Sequence, residues 1–335
     1  FEPYVSSDHV ALALGLFSLV FFAIVYYFSL NPAKIMDYIG KYLTPAFLVF
    51  LFILIITSFI FPMGSFKNPV GDYVNQAFMT GFKEGYNTMD ALASLAFGIV
   101  VINAIKGQGI TSTKEIAKAT WKSGIFAMAL MMLIYGFITF MGATSVKVVG
   151  SLENGGLIFA AVAKHYFGSF GGVLLAIIIV LACLKTSIGL ITSCSEFFHE
   201  VFPQISYKWF VLILSFVSFI IANFGLNNII RFAIPVLMFL YPLAIVLILL
   251  TLMAPLFKAR RSVYATSMFL TFFVSLVDGY KSLAAKLPEA QVGFLDSIEK
   301  FYANVLPFYE MGLGWAIPAI AGALIGYVYA FIKKA

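Results

Sequence analysis

The sequence predicts an all-α polytopic membrane protein, a single transmembrane domain over residues 1–335. Three observations carry that expectation. Hydrophobic residues make up 62% of the chain and charged residues 11%, against about 25% charged in soluble domains. Mean hydropathy is +1.00. Apolar runs of about 20 residues, the length a bilayer core requires, recur along the chain. The net charge of +6 does not point to nucleic acid, because in such a chain it reflects basic loops.

Nine spans are expected, at about 10–30, 42–61, 81–105, 119–143, 170–198, 207–225, 230–254, 262–279 and 313–332. The first two are uninterrupted apolar runs. The third, in "GFKEGYNTMDALASLAFGIVVINAI", carries Asp90 well inside its apolar stretch. After the fourth comes "NGGLIFAAVAKHYFG" (154–168), too short and polar to span. The 170–198 span holds Cys183, Cys194 and Lys185. Eleven helical residues separate the cysteines by about 16 Å, too far for a disulfide. Pro235 and Pro242, seven apart and nearly on one face, predict a kink in 230–254. The segment "EAQVGFLDSIEKFYANVLP" (289–307) places Phe294, Leu295, Ile298, Phe301, Tyr302 and Val305 on one helical face. Together with 154–168 it is expected at the membrane surface or over a pore.

Charge sets the expected orientation. One set of alternate loops holds twelve Lys and Arg residues, among them Lys106, Lys114, Lys118, Lys258, Arg260, Arg261, Lys333 and Lys334. The other holds eight, diluted by acids such as Asp72, Glu84, Asp278 and Glu299. The first set is therefore expected in the cytoplasm, with the C-terminus inside and Phe1 outside.

Asp90 and Lys185 are the charged residues deep within expected spans. A carboxylate at such depth costs roughly 2.5–3.5 kcal/mol on insertion scales. Asn87, Thr88 and Asp90 are of the types that cap helix N-termini. "YNTMD" thus reads as a helix interruption around 85–91, with Asp90 capping a half-helix that begins at Ala91. Such breaks line cavities and build midplane sites in transporters. The other reading is a continuous helix in which Asp90 bonds a neighbour for structure. In "LACLKTSIGLITSCSEFF", Lys185, Thr186, Gly189, Thr192, Ser193 and Glu196 share an arc that is expected to face a bundle interior. Thr186 and Ser187 offer two adjacent oxygens to a hard cation. Alternatively, hydroxyls in such helices bond their own backbone.

"EGYNTMDALASLAFGIVVINAI", "LACLKTSIGLITSCSEFFH" and "IPVLMFLYPLAIVLIL", with "SLNPAKIMDYIGKYLTP", "FPMGS" (61–65), "GATSV" (142–146) and "NFGL" (223–226), resemble the bacterial branched-chain amino acid:cation symporter family over the whole chain. The resemblance implies the LeuT-type inverted-repeat fold of the amino acid–polyamine–organocation superfamily, with twelve spans. It implies import of Leu, Ile and Val across the cytoplasmic membrane with Na⁺ or H⁺, and no cofactor. On that map 10–30 matches the fourth span, so the first three are expected to precede Phe1. The Asp90 span matches the sixth, broken at the substrate, with Tyr86, Asn87, Thr88, Met89, Asp90, Ser94 and Phe97 as the substrate set. Thr186 and Ser187 match the paired hydroxyls that hold the cation. Lys185 stands beside them, either as a charge partner of Asp90 or in place of the ion, which would make the protein a cation-independent exchanger.

Enzymes are disfavoured. An aspartyl protease needs two carboxylates in one site, and Asp90 has no second acid at depth. "HEVFP" (199–203) lacks the second histidine of a zinc protease. Neither charge rings nor repeated filter sequences mark a channel.

Overall fold

The computed structural model describes residues 9–30, 44–86, 88–286 and 292–332. All regular secondary structure among the described residues is helical. That follows from the solvent: in lipid every backbone polar group must be satisfied internally, and a helix does this within one segment. Among the described residues six stretches are long and apolar enough to cross a membrane: Val10–Ser29, Tyr73–Gly107, Thr113–Val149, Gly155–Val201, Leu226–Leu252 and Arg261–Lys286. Phe47–Ile60, Tyr207–Ala222 and Ala316–Ile332 are apolar but shorter. The chain forms two compact units, Phe1–Asn68 with Ala96–Asn227, and Pro69–Leu95 with Asn228–Ala335.

The first unit contains α1 (Val10–Ser29), α2 (Thr44–Ile60), α5 (Thr113–Val149), α6 (Gly155–Val201) and α7 (Tyr207–Ala222). It also takes most of α4 (Asp90–Gly107). α1, α6 and α7 pack together around buried Val25, Ile188, Ile191 and Val211. α2 packs on α5 and α6 through Phe50, Leu54, Met141, Val162 and Leu175. α5 has 37 residues, a length of about 55 Å. It outruns the expected 119–143 at both ends and stops at Gly150, whose φ is 79°, a conformation that glycine adopts without steric cost.

The surface segment expected at 154–168 forms its own helical stretch, separated from the following span by a kink. Both lie in α6, which is interrupted at Gly168 with φ 61° and ψ −152°. Beyond the kink, a Cβ on Gly171 would lie 2.4 Å from the Ala163 carbonyl oxygen. Glycine there lets the two segments meet. Asn154 caps the first of them by accepting from the Leu157 N–H at 3.1 Å.

The second unit holds α3 (Tyr73–Tyr86), α8 (Leu226–Leu252, from Asn228 onward), α9 (Ala254–Phe257), α10 (Arg261–Lys286), α11 (Gly293–Val305) and α12 (Ala316–Ile332). Its tightest interface joins α10 to α12. Gly322 and Gly326, a small-xxx-small pair, bring the two backbones together. Cβ atoms there would lie 2.6 Å from Ser267 Cα and 2.7 Å from Val263 Cα, respectively. Three hydroxyls cross this seam. Ser262 donates to the Gly326 carbonyl at 2.8 Å, Thr266 to Gly322 at 2.5 Å and Ser267 to Ala319 at 2.8 Å.

α11 covers one end of α10. Tyr280 donates to Asp296 at 2.5 Å and accepts from the Val292 N–H at 2.7 Å. Lys281 pairs with Glu299 at 3.0 Å and lies 5.0 Å from the Tyr309 ring centroid. Burial, followed by the neighbouring Asp278 carboxylate, pushes the Tyr309 phenol above its usual range. The apolar face expected on α11 is divided. Tyr302 packs into the core of the unit, while Phe294, Phe301 and Val305 stay exposed. Residues 289–291 of that expectation lie outside the described residues.

Candidate functional site

The helical path is interrupted between α3 and α4. α3 ends at Tyr86, and Asn87 lies outside the described residues. Thr88 turns the chain. Its N–H reaches the Gly85 carbonyl at 3.4 Å and its Oγ1 donates to the same oxygen at 2.8 Å. Met89 then takes φ 63°, a region sparsely populated by side-chain-bearing residues and costing on the order of 1–3 kcal/mol. Its carbonyl accepts the first bond of α4, from the Ala93 N–H at 3.0 Å.

Asp90 therefore differs from its expected place. The half-helix begins at Asp90, not Ala91, and Asp90 occupies the first turn. Met89, in the left-handed region, holds the cap position that sequence reasoning gave to Asp90. The carboxylate still sits at the positive end of the helix dipole, where it is favourable by about 0.3–1 kcal/mol, more when partly buried.

α8 supplies the residue that sequence reasoning missed. Tyr241 is 1% exposed. Its hydroxyl lies within interaction range of the Thr88 side chain, the Met89 backbone and the Asp90 carboxylate. Leu237 and Tyr241 pack against Ala91, Leu92 and Met238. The available signal was "YP": a phenol in an apolar span, just before Pro242. That proline has no N–H, so the Met238 carbonyl loses its helical donor. The bend thus brings helix-terminal N–H and carbonyl groups, a carboxylate and a phenol against apolar walls.

Other members of the expected substrate set are engaged locally. Ser94 donates to the Ala91 carbonyl at 2.7 Å. Phe97 belongs to the first unit, where its ring covers Gly189 of α6. A Cβ on Gly189 would lie 2.7 Å from Phe97 Cε1.

The polar arc of α6 divides by burial. Gly189, Thr192 and Ser193 are buried, Lys185 and Glu196 are half-buried, and Thr186 is exposed. Lys185 donates to Thr44 Oγ1, at the start of α2, at 2.5 Å. Thr186 bonds back to the Ala182 carbonyl at 3.1 Å, and Ser193 to Gly189 at 2.8 Å. Ser187 is half-buried beside them. Among the described residues no group of three or more His, Cys, Asp or Glu forms a metal site. A cation in this part of α6 would have to be held by hydroxyl and carbonyl oxygens, the ligands a hard ion prefers.

Comparison with known proteins gives one family. A family model described as "Branched-chain amino acid transport protein" matches residues 1–333. The branched-chain amino acid permease BrnQ of Bacillus subtilis (strain 168) is 42% identical over 332 residues, covering 99% of this chain and 74% of that protein. BrnQ of Lactobacillus delbrueckii subsp. lactis is 46% identical over 308 residues, 91% of this chain and 68% of that protein. The permease BraB of Bacillus subtilis (strain 168) is 42% identical over 327 residues, 97% of this chain and 72% of that protein. No solved structure matches the chain.

Proposed function

The chain belongs to the branched-chain amino acid transport protein family, and from that premise we propose that it imports Leu, Ile and Val through the bacterial cytoplasmic membrane by alternating access. It is a transport protein and not an enzyme. The observation that carries the substrate site is the interrupted helix at Thr88–Asp90 beneath Tyr241. The N–H groups opening α4 suit an α-carboxylate. The carbonyls ending α3 suit an α-ammonium. Met89, Leu92 and Leu95 offer the apolar contact that a branched side chain needs. A LeuT-type arrangement with a cytoplasmic C-terminus is part of the same reading.

The test is accumulation of labelled leucine by the natural full-length protein in proteoliposomes. An apolar pocket distinguishes one methylene by only about 1–3 kcal/mol. Ile and Val are therefore expected to compete with Leu within about a few tens-fold of one another, while lysine and glutamate do not compete. Equal competition by lysine or glutamate would sink the proposed pocket.

The coupling ion is proposed to be Na⁺ or H⁺, with Thr186 and Ser187 as the oxygens for a cation. Thr186 is exposed and bonds only its own helix among the described contacts, so Thr186→Ala should cost the fold less than about 0.5 kcal/mol. It should nevertheless move the cation activation curve by about tenfold, within the usual range of site-to-site coupling. The order of Leu, Ile and Val should stay the same. An unmoved curve removes Thr186 from the site.

One observation favours a second reading. The Lys185 ammonium stands next in sequence to this pair and is held by the Thr44 hydroxyl. If it replaces the ion, leucine exchange persists without Na⁺ or a proton gradient, and Lys185→Met abolishes it.

A further inference from the structure

The second unit contains an apolar cavity of about 470 Å³ between α8, α9, α10 and α12. Leu250, Phe257, Val263, Trp315, Ala319 and Leu324 are among its walls. Along α12 the lining runs from Ala316 to Tyr327, about 16 Å of helix rise. The hydroxyl of Ser267, which also lines it, is already bonded to the Ala319 carbonyl. The Trp315 indole N–H is likewise bonded, to the Gly312 carbonyl at 3.2 Å, so apart from the Tyr327 phenol the walls present hydrocarbon.

The chain between the lining residues Phe257 and Val263 is strongly basic. It carries Lys258, Arg260 and Arg261. Lys258 and Ala259 both adopt left-handed backbone, with φ 54° and 50°. Two consecutive non-glycine residues in that region store strain that the surrounding structure must hold. Arg260 is half-buried. Its Nη1 is shielded from solvent and has no hydrogen-bond partner among the described residues. A guanidinium desolvated on one side and unpaired there gains more than a fully hydrated one from an anion at its open edge.

We infer that this cavity and its basic rim form a site for an anionic phospholipid. One acyl chain fills the groove along α12, and the head-group phosphate lies against Arg260, with Lys258 and Arg261 beside it. Both halves of the ligand are specified: an elongated hydrocarbon by the cavity and an anion by the three cations at its edge. The inference is independent of the amino acid site. Placing the lipid in the cytoplasmic leaflet rests on the proposed orientation, in which this basic turn faces inward.

Trp315 in the cavity wall gives a direct readout. The full-length protein, with every other tryptophan replaced by phenylalanine, is placed in phosphatidylcholine bilayers. These contain equal mole fractions of either bromoacyl phosphatidylglycerol or bromoacyl phosphatidylcholine. Bromine quenches Trp315 fluorescence when the acyl chain enters the cavity. The expected result is an apparent affinity about fivefold higher for the anionic lipid per basic contact, and an Arg260→Gln variant that loses about fivefold of that preference. Ala323→Leu, which narrows the cavity, should reduce quenching by both lipids. Equal quenching by the two lipids overturns the proposal. So does a preference for phosphatidylglycerol that Arg260→Gln leaves unchanged.

Discussion

Gly326→Leu is expected to abolish stable folding of the second unit, and Gly326→Ala to destabilise it by at least about 2 kcal/mol. Overpacking of this kind typically costs 1–3 kcal/mol when neighbours can shift. Here most of them cannot. A Cβ at Gly326 would lie 2.5 Å from the Ser262 carbonyl oxygen and 2.7 Å from Val263 Cα, both main-chain atoms of α10. Separating the helices would also lengthen the bonds from Ser262, Thr266 and Ser267 to α12. Interhelical bonds of this sort contribute about 0.6 kcal/mol each on average in membrane proteins. Thermal unfolding in detergent, followed by the monodisperse fraction on gel filtration, measures the effect. Gly136→Ala in α5 is the control. Nothing lies within 4 Å of a Cβ there, and exchanging helical glycine for alanine gains up to about 1 kcal/mol. If Gly326→Ala melts with the wild type, the close approach of α10 and α12 is wrong.

Some of this arrangement was legible in the sequence. The all-helical character was, because apolar runs of bilayer length have few ways to satisfy their backbone. The break in the Asp90 segment was legible in "YNTMD", whose polar, capping residue types conflict with an unbroken apolar helix. Its detail was not. Asp90 has capping chemistry, but the strained φ of Met89, a residue with no preference for that region, shifts the cap by one position. "GALIG" marks α12 as a packing helix, yet nothing in the glycines says that α10 receives them. Partners distant in sequence have no local signature. The Thr44 hydroxyl on Lys185 lies 141 residues away, and Tyr241 comes to Asp90 from another helix altogether. Gly168 shows a different limit. Polarity separated 154–168 from the following span, and the chain does break there, at Gly168 with φ 61°. The direction of the bend was not legible, because hydropathy does not encode backbone angles.

Asp90→Leu is expected to abolish leucine accumulation, while Asp90→Asn keeps it with a modest loss. The structural reason is position. Asp90 lies in the first turn of α4, where the free N–H groups of the helix need an acceptor oxygen. Asparagine retains that oxygen and caps about as well as aspartate, so only the charge–dipole share, about 0.3–1 kcal/mol, is lost. Leucine offers no acceptor, and an unsatisfied buried donor costs about 1–3 kcal/mol. It would also face the Tyr241 hydroxyl with hydrocarbon. Tyr241→Phe separates the phenol from its ring. The ring still packs on Ala91 and Leu92, so the protein should fold, but the bend loses the hydroxyl near Thr88, Met89 and Asp90. A weakening of leucine affinity by about three- to tenfold is expected, the worth of roughly one hydrogen bond. Uptake against a gradient and counterflow of preloaded leucine should be measured on all three variants of the full-length protein. If Asp90→Asn loses accumulation but keeps counterflow, the carboxylate carries the coupling charge and its role is more than structural. Wild-type accumulation in Asp90→Leu would remove the bend from the mechanism, because no arrangement of this helix end tolerates hydrocarbon there while still presenting its N–H groups to an amino acid.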